Sequence, residues 1–78
     1  MSSYPSSRER VENYLEELVE DEGTVFIRSR RIGRALDLGP RQVGIHLSRL
    51  EDDDEAAVNV EKWSRSRGAW KWRVTDEE

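Results

Sequence analysis

The sequence predicts a small α+β domain: three helices and a small antiparallel sheet, in the order helix, strand, helix, turn, helix, strand, strand. Three observations predict it. An apolar stripe of helical period runs through residues 11–19. A series of Gly33, Asp37, Gly39 and Pro40 punctuates two further short helical stretches. Two alternating stretches near the end flank RSRG, the signature of a hairpin.

The elements follow in order. Residues 1–6 read as a disordered lead-in, and residues 76–78 as an acidic tail. Between them Val11, Tyr14, Leu15, Leu18 and Val19 recur at helical spacing. Ser6 or Ser7 can cap the helix start, Glu9 suits its positive end, and Gly23 suits its close. TVFI, Thr24 to Ile27, is β-branched and aromatic, a strand too short to stand alone. A short helix follows, with Ser29 as its cap and Ile32, Ala35 and Leu36 facing inward. Asp37 to Pro40 form a turn, and Pro40 suits the first position of a third helix over residues 40–52. Val43, Leu47 and Leu50 form its core stripe. VNVEKWS and AWKWRVT are the closing strands, with Arg65 to Gly68 as the loop.

Seventy-eight residues allow one domain, with a thin core. No apolar run approaches the ~20 residues of a membrane span. MSSYPSS lacks the apolar centre of a secretory signal. The absence of cysteine excludes disulfides and thiolate sites, and it fits a cytoplasmic location. Eleven Arg stand against two Lys, among seventeen acids. Such acid-rich, lysine-poor composition resembles that of salt-adapted archaeal proteins.

Charge is segregated along the chain. Residues 9–22 carry a net −6, residues 28–49 a net +5, EDDDE −5, and residues 62–73 again +5, in a chain whose total is −4. Trp63, Trp70 and Trp72 are interleaved with the second basic block.

Residues 29–50, SRRIGRALDLGPRQVGIHLSRL, resemble a helix-turn-helix motif. Gly33 is the small residue that lets two helices cross, Asp37 lies at the turn, and Val43 packs the second helix back on the first. The family usually has glycine where Asp37 stands; Asp tolerates the left-handed conformation better than most residues. With the first helix, the short strand and the hairpin, residues 7–75 resemble a winged helix-turn-helix domain. They look closest to small stand-alone winged-helix proteins of salt-loving archaea. The resemblance implies that residues 40–52 are a recognition helix for the major groove of double-stranded DNA. The hairpin, residues 60–74, is then a basic wing on phosphates or in the minor groove. The implied role is transcription regulation or chromosome organisation, with both basic blocks on one surface.

On the third helix the expected base-contacting residues are Arg41, Gln42, Ile45, Ser48 and Arg49: Arg suits guanine, Gln suits adenine, and an apolar group suits a thymine methyl. Gly44 permits close approach. Arg28, Arg30, Arg31, Lys62, Arg65, Arg67, Lys71 and Arg73 are the expected backbone and wing contacts. Arg34 is a further cation of the first block, and some of its arginines are expected to pair with the acidic first helix. Trp70 and Trp72 read as core. Trp63 falls out of phase with Val58 and Val60, so it is either turned to the outer face or returned inward by a bulge.

Two other readings stand beside DNA. Ile45 and Trp63 together would make an apolar patch for a protein partner or a homodimer. RNA binding would require an exposed Trp63 and would favour single strands or structured RNA. No enzyme chemistry, cofactor, metal, membrane or small-molecule substrate is expected. His46, the only histidine, reads as a packing residue. EDDDE reads as a solvated charge run without the spaced ligands of a calcium loop.

Overall fold

Ser6 starts the fold. Its side-chain oxygen accepts from the Glu9 backbone N–H at 3.2 Å, and the Glu9 carboxylate accepts from the Ser6 N–H at 3.0 Å, a reciprocal capping box. The computed structural model describes residues 6–76, so most of the expected lead-in and tail lies outside the described residues. Ser6, placed by sequence in the lead-in, belongs to the domain. Asp76, placed in the tail, ends the last strand.

Six elements follow: α1 (Ser7–Glu22), β1 (Val25–Arg28), α2 (Ser29–Leu36), α3 (Pro40–Glu51), β2 (Val58–Ser66) and β3 (Ala69–Asp76). The fold is α+β, with a three-stranded antiparallel sheet in the order β1-β3-β2. This layout is compatible with a winged helix-turn-helix. Val11, Leu15 and Val19 of α1, Ile32 of α2, and Val43, Leu47 and Leu50 of α3 are buried against Val25, Ile27, Val58, Val60, Trp72 and Val74 of the sheet. Each strand gives alternate residues to this core, as period 2 requires.

Gly23 ends α1 at φ 79°, and its N–H donates to the Val19 carbonyl. α2 departs from expectation at both ends. Its N-cap is Arg28, which makes no side-chain cap, rather than Ser29. Ala35 is exposed, because the core-facing stripe of so short a helix is only Ile32 and Gly33 wide, with Leu36 half-buried. Asp37 takes the left-handed conformation, φ 60° and ψ 46°. The Leu38 N–H then turns back to the Gly33 carbonyl at 2.8 Å, closing α2 with a Schellman-type bond. Leu38 thereby lies against Gly33. Gly39 and Pro40 start α3 at once.

Three neighbouring side chains of α1 fasten the periphery. Arg8 pairs with Asp53 in the α3–β2 connection. Arg10 donates to the Leu36 carbonyl at the end of α2, at 2.7 Å. Glu12 accepts from the Ala57 N–H just before β2, at 2.7 Å. EDDDE is therefore not wholly solvated. Asp53 also accepts from the Glu55 N–H, and Glu51 accepts from the Lys62 N–H on β2.

Candidate nucleic-acid interface

The hairpin is tighter than the sequence suggests. Ser66 pairs with Ala69, so the loop is Arg67–Gly68 alone rather than Arg65 to Gly68. Both loop residues have positive φ, 55° and 80°. That is the demand of a type I′ turn, whose twist matches the flanking strands. It holds Arg67 at the tip.

A bulge between Lys62 and Ser64 sets which way the hairpin's side chains point. Val58, Val60 and Lys62 alternate onto the helix-facing side, so Trp63 lies on the outer side. The extra residue then shifts the phase. Arg65 comes opposite Trp70 and returns to the side of Lys62. The Lys62 Nζ lies 5.5 Å from the Trp70 ring centre and 5.8 Å from that of Trp72, and the Arg65 guanidinium 5.9 Å from Trp70. Cations at such distances are attracted by the negative faces of the rings.

Between this wall and α3 lies an open groove of about 800 Å³. Its α3 wall is Pro40, Arg41, Gly44, Ile45 and Ser48, one outward stripe of the helix. Its far wall is the hairpin, with Trp70, Trp72, Lys62 and Arg67, and Arg28 and Arg30 stand at the β1–α2 junction. Five of the lining residues are cationic, and no acid lines the groove among the described residues. Trp72 is core, 2% exposed, whereas Trp70 is 38% exposed and lines the groove, contrary to its reading as core. The two share a face, but the hairpin runs past the edge of the helical layer, and Trp70 lies beyond that edge.

The other expected contact residues divide. Gln42 and Arg49 are exposed on the flank of α3 outside the groove, and Arg31 and Arg34 are exposed on α2. No ion pair among the described residues joins the α2 arginines to α1; the α1 pair is Arg8 with Asp53. Lys71 and Arg73 occupy the outer side of the sheet, away from α3. Arg73 pairs with Glu61 at 2.5 Å, its cross-strand neighbour, and its guanidinium lies 5.4 Å from the Trp63 ring centre. It is not positioned to share a ligand with Arg41. Trp63, 54% exposed, packs on Phe26 with ring centres 5.4 Å apart. Ile45 lies in the groove instead. The bulged strand thus separates the two members of the expected Ile45–Trp63 patch, which does not exist as one surface.

A protein-family model described as "Domain of unknown function (DUF7123)" matches residues 1–76. The chain belongs to this family. No curated protein and no solved structure matches the chain. Family membership names no ligand, so the chemistry of the DUF7123 chain must be read from its own surface. No helix among the described residues is long and apolar enough to cross a membrane.

His46 lies half-buried on the core side of α3. Neither ring nitrogen has a hydrogen-bond partner among the described residues. Burial first, then the nearby Arg49 and Arg8 charges, hold its pKa below 6.5. The unfolded chain therefore binds the proton more readily. Stability from this group is complete above about pH 6.5 and falls as pH drops through that value toward the folded pKa. Melting temperature is expected to decline on acidification from about pH 7.5 to about pH 5.5, and less so in His46→Leu. Equal declines in the two proteins would assign the pH response elsewhere.

Proposed function

We propose that this protein binds double-stranded DNA, with α3 as a recognition helix in the major groove and the β2–β3 hairpin as a wing on phosphates or in the minor groove. The observation that carries the reading is the acid-free groove. Arg28, Arg30, Arg41, Lys62 and Arg67 converge there in a chain of net charge −4. Like charges brought together raise the energy of the free protein, and a polyanion relieves it.

Arg41, Ile45 and Ser48 present two hydrogen-bonding groups and one apolar group on the stripe nearest the ligand, with Gln42 and Arg49 on the flank. That mixture suits base edges, while Arg67 at the tip and Arg30 at the α2 start suit phosphates. The role is transcription regulation or chromosome organisation in the cytoplasm. The acid-rich, lysine-poor composition suits high salt, where the Debye length is about 3 Å at 1 M. Close-range guanidinium contacts then outlast diffuse attraction, which favours Arg over Lys.

The test is titration of a labelled mixed-sequence duplex at several salt concentrations. Binding is expected at low salt. The logarithm of affinity should fall against that of salt with a slope of roughly −4.5, for about five cations brought against the duplex. No binding at about 50 mM salt, or binding indifferent to salt, would end the proposal.

A further inference from the structure

The outer side of the sheet carries a second concentration of chemistry that the groove does not use. Phe26 is 44% exposed and Trp63 54% exposed. They belong to opposite edge strands, β1 and β2, and meet across the central strand β3. Two large rings presented to solvent on one sheet face are a costly arrangement in a domain with so thin a core. Their burial beneath a helix would stabilise it. The bulge at Trp63 keeps this ring outside while returning Arg65 to the opposite side of the hairpin, over Trp70.

The charges around the rings are two cations, Lys71 and Arg73, and one acid, Glu61, so the face is net positive. Arg73 lies against Trp63 and is balanced by Glu61. Lys71 follows on the same side of β3. Arg28, its register partner, stands at the boundary between this face and the groove. A partner for this face therefore needs flat π-surfaces and negative charge. A base-paired duplex offers the charge but hides its base faces. An unpaired strand offers both, and base–aromatic stacking tolerates any base.

We propose that the outer sheet face is a second binding surface, whose occupant is a single-stranded nucleic acid stacked on Phe26 and Trp63 and held by Lys71 and Arg73. Rings and cations make the contact, so it discriminates little between ribose and deoxyribose strands. This surface is separate from the groove and stands or falls independently of the duplex reading.

The experiment measures fluorescence anisotropy of labelled dT and U oligonucleotides of about a dozen residues at low salt. Wild-type protein should bind both, with affinities within about threefold. Trp63→Ala and Phe26→Ala should each weaken binding about tenfold, and Trp63→Phe should restore most of it. Circular dichroism checks that each variant folds. Duplex affinity should not change in Trp63→Ala. Conversely, Arg41→Glu with Arg67→Glu should spare the oligonucleotides. No oligonucleotide binding by the wild type would overturn the proposal. Binding that survives the loss of both rings, or that is lost with the groove arginines, would also overturn it. Those results leave the duplex titration untouched, and a failed duplex titration leaves this face to be judged by its own variants.

Discussion

Gly33→Ala is expected to unfold much of the protein at temperatures where the wild type is intact. A Cβ on Gly33 would stand 2.4 Å from the Leu38 carbonyl oxygen and 3.4 Å from its carbon. The obstacle is backbone, so no rotamer change relieves it. Leu38 cannot withdraw freely, because its N–H is bonded to the Gly33 carbonyl and Asp37 is fixed in the left-handed conformation beside it. The whole α2–α3 turn must shift, and with it the burial of Ile32 and Val43. Overpacking of this kind costs about 1–3 kcal/mol or more, and helix propensity returns at most about 1 kcal/mol. A domain of this size has roughly 4–12 kcal/mol in total. With a net loss of about 2 kcal/mol, a fall in melting temperature of about 8–16 °C is expected.

Gly44 supplies the internal control. A Cβ there meets nothing nearer than the Ser29 Oγ at 3.8 Å, ordinary contact. Gly44→Ala makes the same chemical change on the next helix and should raise the melting temperature by a few degrees. Thermal melts of the two variants side by side decide the matter. If both shift the same way, the close approach of Gly33 to the Leu38 carbonyl is not what holds the turn.

Charge reversal across the groove should have the largest effect on binding. Arg41 lies on the α3 wall and Arg67 at the hairpin tip, so Arg41→Glu with Arg67→Glu places an acid on each side of the same ligand. Two cations beside the duplex are lost, Arg41 from the base edges and Arg67 from a phosphate, and two repulsions are gained. Duplex affinity at about 50 mM salt should fall by at least about 100-fold, and the salt slope should flatten by about 2. Arg73→Gln is the comparison, since Arg73 lies on the other side of the sheet with Glu61. It should change duplex affinity by less than about threefold. Equal losses in the two variants would mean that net charge, not the groove, governs binding. Neither Arg41 nor Arg67 belongs to the core or makes an ion pair among the described residues, so the double variant should remain folded.

Much of the scaffold was legible because its determinants are local. Ser6 and Gly23 bracket α1, the Val43–Leu47–Leu50 stripe faces the core, and Gly33, Asp37 and Pro40 mark the turn. Each depends on neighbours within a few residues. The site was less legible because it depends on register and depth. Period 2 places Trp70 and Trp72 on one face, but it does not say where the strand leaves the shelter of the helices. That edge makes Trp72 core and Trp70 groove wall. The broken phase at Trp63 allows either an outward ring or a bulge, and only the register shows both, with Trp63 outside and Arg65 turned back over Trp70. Likewise, the pairing of Arg73 with Glu61 follows from the β2–β3 register, so an arginine counted among the wing contacts proves to be engaged elsewhere. The anchoring roles of Glu51 and Asp53 were hidden for the same reason, since their partners lie on other elements.

The three anchors on α1 have a consequence for descent. Arg8, Arg10 and Glu12 tie down the α3–β2 connection, the end of α2 and the start of β2, and none of them lines the groove. Fastening and the proposed recognition thus fall to different residues. If the groove binds as proposed, the side chains of the α3 stripe and the hairpin tip could be exchanged, and targets with them, without disturbing the frame.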